Sequence, residues 1–129
     1  MDRLKILLVD DEMDFLETMG AIIEGWGYGL ITAANGKEAI DAVMAKKADI
    51  VVLDYMMPEM DGIAVLKEIR KIDKELSVIM FTAHPDIKAI KGTEKLGVSA
   101  FIPKLSVYSD TKSALKAALY MVEKRLKKE

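Results

Sequence analysis

The chain has no cysteine, one histidine, one tryptophan and three prolines in 129 residues. Without cysteine it forms no disulfide, zinc ribbon or thiol nucleophile. A single histidine, His84, cannot build a histidine metal site. A thiol-free composition suits a reducing compartment. Net charge is small too: 19 basic against 21 acidic residues give −2. Nothing in that balance draws the whole chain to nucleic acid or an anionic membrane. Lys124, Arg125, Lys127 and Lys128 are spread too thinly for a DNA-binding patch. No apolar run approaches the roughly 20 residues that span a bilayer. Met1 to Lys5 leads straight into a strand-like run, with no signal-peptide pattern. The expectation is a single cytoplasmic domain over 1–129, with no membrane and no nucleic acid bound. Such a chain buries roughly two-thirds of its unfolded surface without staples. The nine methionines are read as gap-filling core.

What is present is a repeated pattern of apolar strand followed by polar group. The central stretch is Asp49-Ile50-Val51-Val52-Leu53-Asp54, four apolar residues running into a carboxylate. It reads as a strand buried on both faces. Pro58 and Gly62 shape the loop after it. Lys5-Ile6-Leu7-Leu8-Val9 ends in the same way, in Asp10-Asp11-Glu12. Gly29 to Ala33, Ser77 to Thr82 and Ala100 to Ile102 are the other strands, the last closed by Pro103-Lys104.

Helices fill the intervals. Asp11 or Glu12 opens the first, with Phe15, Met19, Ile22, Ile23 and Trp26 at helical spacing. Ala39, Ile40, Val43 and Met44 mark the second, and Ile63, Leu66, Ile69 and Ile72 the third. The fourth carries Ile87, Ala89, Ile90 and Leu96, but Gly92 and Thr93 lower its propensity. Ser109 or Asp110 caps the fifth, about 109–128, with Leu115, Leu119, Val122 and Leu126 as its stripe. In a longer parent protein that helix would continue as a linker.

Five strands alternating with five helices imply a doubly wound α/β fold with right-handed crossovers. The flavodoxin-like order 2-1-3-4-5 is the small solution. It makes the first and third strands neighbours, so Asp10, Asp11 and Asp54 meet at one rim, and Thr82 and Lys104 face the same crevice. Three crowded carboxylates repel one another unless a cation sits among them. Mg²⁺, or Mn²⁺, takes such oxygens together with waters and phosphate. Asp11 and Asp54 would ligate directly, Asp10 through water, and the Met56 carbonyl would complete the set. Lys104 supplies a fixed positive charge, the Thr82 hydroxyl a donor, and the Ala83 amide a second one. These groups suit phosphoryl transfer to Asp54, which would become an acyl phosphate.

Val9-Asp10-Asp11-Glu12, Leu53 through Gly62, Phe81-Thr82-Ala83-His84 and Phe101-Ile102-Pro103-Lys104 resemble the receiver domain of two-component response regulators. The match covers nearly the whole chain, in order, each motif at a strand end. The resemblance implies that Asp54 takes phosphate from the phosphohistidine of a histidine kinase or phosphotransfer protein. It further implies that Thr82 moves toward the phosphoryl group and Phe101 rotates inward, reshaping the face of the fourth helix, fifth strand and fifth helix. A phosphorylation-dependent homodimer through that face would follow. Family comparison also sets His84 and Met56 beside the water path to the acyl phosphate, so His84 is expected to tune dephosphorylation.

Two features depart from the pattern. Leu105, not proline, follows the lysine, and the switch aromatic is Phe101, which has no hydroxyl. A receiver is a signalling domain rather than a turnover enzyme. Two other readings compete with a working phosphoacceptor. A phosphatase of the haloacid dehalogenase type wants an acid two residues after the nucleophile, where this chain has Met56. A degenerate receiver, used only as a scaffold, would be missing acids, and none is missing.

Overall fold

The computed structural model describes residues 3–57, 59–83, 87–104 and 108–127, with the side chains of Tyr108 and Ser109 left aside. In chain order the elements are β1 (Lys5–Val9), α1 (Met13–Gly25), β2 (Gly29–Ala33), α2 (Gly36–Met44) and β3 (Ile50–Asp54). They continue with α3 (Gly62–Ile72), β4 (Ser77–Thr82), α4 (Ile87–Lys95), β5 (Ala100–Pro103) and α5 (Tyr108–Lys127). The five strands form one parallel sheet in the order β2-β1-β3-β4-β5, as the alternation predicts.

Successive strand residues point to opposite faces, and each face carries its own core. Ile6, Leu8, Ile50, Val52, Ile79, Phe81 and Ile102 meet Phe15, Leu16, Met19 and Ile23 of α1 and Leu115, Leu119 and Val122 of α5. Leu7, Val9, Val51, Leu53, Val78 and Met80 meet Ala39 and Val43 of α2 and Val65, Leu66 and Ile69 of α3. Each such side chain, once fully buried, contributes about 1.5–3 kcal/mol. This two-sided core fixes the strand register, and so aligns the strand ends that bear polar groups.

Local signals set the loops. Asn35 caps α2 by accepting from the Glu38 amide at 2.9 Å, while Glu38 accepts from the Ala34 amide at 3.1 Å. The pair is close to a capping box, with the acid reaching the amide one residue before the N-cap. Asp61 caps α3 through the Ala64 amide at 2.9 Å. A Cβ at Gly62 would lie 2.7 Å from Tyr55 Cα and 2.9 Å from the Asp54 carbonyl oxygen. Glycine there lets α3 begin directly against the end of β3. Glu59, in the same loop, takes φ of 70°, a left-handed conformation that side-chain-bearing residues rarely adopt.

Three expectations need correction. Asp110 does not cap the fifth helix: α5 runs from Tyr108, and Asp110 sits within its first turn, where its charge suits the helix dipole, while the Ser109 side chain lies outside the described residues. The methionines are not uniformly core. Met19 and Met80 are fully buried, but Met13, Met44, Met56 and Met121 are 50–71% exposed. Ile72 and Ile87, placed on apolar stripes by spacing, are also exposed. Their helices bury only narrow stripes, Ala89 and Thr93 alone in α4.

Candidate functional site

Asp10 follows β1 and is held by its own amide, which donates to the Ala33 carbonyl at 3.1 Å. Its side chain is fully buried, and its Oδ1 accepts from the Glu12 amide at 2.9 Å. Asp54 ends β3, one strand over, and is 3% exposed. Asp11 is exposed at the same rim. One carboxylate oxygen from each of Asp10, Asp11 and Asp54 lies within 4.8 Å of the others. Fixed, hard oxygen donors at that spacing fit a cation such as Mg²⁺.

Thr82 ends β4 and is fully buried. Its carbonyl accepts the Lys104 amide at 2.6 Å, which ties the residue after β5 to the end of β4. The Lys104 ammonium then reaches back across the rim. It donates to Asp10 Oδ2 and to Glu12 Oε1, both at 2.7 Å, and stands 3.9 Å from Asp54 Oδ2. Phe15 and Phe81 form the floor beneath it, with ring centroids 4.2 and 5.6 Å from Nζ. Those faces favour a cation.

The electrostatics follow from this crowding. Burial, then the Asp10 charge, push Asp54 up to about 7, against the opposing pull of Lys104 and the Met56 amide. Burial also raises Asp10, although Lys104 and the Glu12 amide counter it. Burial by itself would lower Lys104, but the acids around it prevail and raise it. A carboxylate held this high is one that a bound cation would return to its ionised form.

The structure therefore brings Asp10, Asp11, Asp54, Thr82 and Lys104 to one rim. Met56 is half-exposed beside them, and its amide donates to Asp54 Oδ1 at 3.4 Å. Ala83 is exposed at the mouth, and Phe101 is half-buried against the Leu7–Val9–Met80 side of the sheet. His84, Pro58 and Leu105 lie outside the described residues. Sequence reasoning missed the second task of Glu12. It is the N-cap residue of α1, but its side chain caps nothing and goes to Lys104 instead. A third acid at the strand end that supplies two others was the available signal.

A doubly wound sheet with such an acid-and-lysine rim is the architecture of a signalling domain. The family model described as the response regulator receiver domain matches residues 6–117, and the chain belongs to that family, found in two-component systems. Among its relatives, the sporulation initiation phosphotransferase F of Bacillus subtilis is 34% identical over 115 residues, 89% of this chain and 93% of that protein. The transcriptional regulatory protein ZraR of Escherichia coli O157:H7 is 32% identical over 118 residues, 92% of this chain. The chain spans only 27% of ZraR. Among solved structures, the CheX-CheY-BeF3-Mg²⁺ complex of Borrelia burgdorferi matches with a TM-score of 0.83 and 31% identity, covering 94% of this chain and 90% of that one. Receiver domains bind Mg²⁺ at an acidic cluster and take phosphate from histidine kinases or phosphotransfer proteins. Among the described residues no helix is long and apolar enough to cross a membrane.

Proposed function

We propose that this domain is a working phosphoacceptor and that Asp54 is the residue phosphorylated. The observation that carries the reading is the convergence of Asp10, Asp11 and Asp54 oxygens within 4.8 Å, with the Lys104 ammonium 3.9 Å from Asp54. A degenerate scaffold has no need to keep three repelling acids together at the expense of stability. Asp10, Asp11, Asp54 and the Met56 carbonyl would hold Mg²⁺ or Mn²⁺, and the ion would neutralise the charge of the transferring phosphoryl group.

An Asp54 oxygen attacks phosphorus in line. The new O–P bond forms as the P–N bond to the donor histidine breaks, and the imidazole leaves with the electron pair. Lys104, the Thr82 hydroxyl and the Ala83 amide then take the phosphoryl oxygens. Movement of Thr82 opens space for Phe101, whose half-buried ring faces the α4 side of the sheet. The readout is the α4–β5–α5 face. An apolar groove of about 710 Å³ lies between β5 and α5, lined by Ala100, Ile102, Ala118 and Met121, and a homodimer formed on phosphorylation would use it. The donor is a histidine kinase or phosphotransfer protein. In a longer parent protein α5 would lead into a linker. Met56 offers no acid to a leaving group, which weighs against steady phosphatase turnover.

Intact mass after treatment with acetyl phosphate and Mg²⁺ tests the reading. One phosphoryl group should appear on the wild type and none on Asp54→Asn. Labelling of Asp54→Asn to the same extent would refute the assignment, and steady hydrolysis of a phosphomonoester would favour the phosphatase.

A further inference from the structure

Lys104 has three N–H donors to place. Asp10 and Glu12 accept two of them at 2.7 Å. Asp54 Oδ2, at 3.9 Å, is beyond hydrogen-bond reach. The ammonium is therefore positioned by two acids from the end of β1 and by the Phe15 ring beneath it, not by the carboxylate it serves. Asp10 belongs to the acidic trio, whereas Glu12 does not. Its side chain is 65% exposed, and its described hydrogen bond and ion pair are both to Lys104.

We propose that Glu12 is a positioning residue that holds Lys104 off Asp54. The inference rests on the phosphoacceptor reading above. With Glu12 in place, Asp54 Oδ2 stays open to the cation and to phosphorus, and the third N–H of Lys104, which has no hydrogen-bond acceptor among the described residues, can turn to a phosphoryl oxygen. Without it, the nearest free acceptor for the ammonium is Asp54 itself. A shift of about 1 Å would close a direct hydrogen-bonded ion pair. That pair would occupy the attacking oxygen and compete with the cation for it.

The test compares wild type, Glu12→Gln and Glu12→Asp, since Asp keeps the charge but loses the reach by one methylene. The rate of Asp54 labelling by acetyl phosphate is followed by intact mass at saturating Mg²⁺. In this reaction the Asp54 O–P bond forms, the P–O bond to the acetyl group breaks, and acetate leaves with the electron pair. The Lys104 ammonium resonance is followed in the unlabelled proteins. Both variants should label about two- to fivefold more slowly, the size an ion pair with one exposed partner carries. Both should also shift the Lys104 resonance. If Glu12 were merely a nearby negative charge, Glu12→Gln would label faster with an anionic donor and Glu12→Asp would match wild type. Either result overturns the proposal. A wild type that takes no label sinks the phosphoacceptor reading and this proposal with it. A labelled wild type matched by both variants sinks this proposal alone.

Discussion

Replacing Asp54 by Asn should stabilise the protein when no divalent cation is bound. The carboxyl is pushed up to about 7 from its ordinary 3.8 by burial and by Asp10. A raised carboxylate pKa means that the folded state holds the proton more tightly than the unfolded chain. Stability is then full below the unfolded value and falls as pH climbs, until the folded group too has ionised near 7. Three decades of proton affinity correspond to a ceiling of ~4 kcal/mol. Asn recovers less, because the NH2 of a buried carboxamide needs an acceptor of its own and stands in imperfectly for a protonated carboxyl. The expected gain is about 2 kcal/mol at pH 8, read by urea unfolding in a chelator. It should shrink by half or more at pH 5, where the wild-type carboxyl is largely protonated in the fold. Saturating Mg²⁺ should reverse the order. At a hundredfold excess over its dissociation constant it stabilises wild type by ~2.7 kcal/mol, and Asp54→Asn lacks one ligand. An Asn variant no more stable than wild type at pH 8 in chelator would refute the claim that these acids repel one another.

Other perturbations separate the frame from the site. Gly62→Ala would press a methyl against Tyr55 Cα and the Asp54 carbonyl; it should cost about 2–4 kcal/mol and weaken Mg²⁺ binding by calorimetry. Gly92→Ala meets only the end of the Ile63 side chain, at 2.7 Å, so helix propensity offsets the clash and unfolding should change by less than ~1 kcal/mol. Arg70 donates to the carbonyls of Asp73, Leu76, Leu96 and Gly97. Arg70→Met should cost about 2–3 kcal/mol and speed amide exchange in the turns that enter β4 and β5.

The differing legibility of these features has a physical basis. Period-2 and period-3.6 patterns are local, so the five strands and their order could be argued from residues a few positions apart. Asp10, Asp54, Thr82 and Lys104 each end a strand, so the topology alone carried them to one rim. Contacts made by long side chains across the fold leave no such trace. Glu12 looked like a helix opener because its partner lies 92 positions away, and only the geometry puts the ammonium nearer to it than to Asp54. Arg70, an ordinary residue in the last turn of α3, gave no hint that it binds the α4–β5 turn. Gly92 and Thr93 made α4 look weak for a local reason, and each has a contact in the fold that the sequence did not disclose. Gly92 admits Ile63 of α3, and the buried Thr93 hydroxyl donates to the Ile90 carbonyl at 2.9 Å. A helix that buries only Ala89 and Thr93 has little apolar area tying it to the sheet, and a segment so weakly held can be repositioned at small energetic cost. The low propensity read from the sequence and the thin packing seen in the structure therefore have one consequence on the phosphoacceptor reading proposed above: α4 would be the element that a charge change at Asp54 most readily moves.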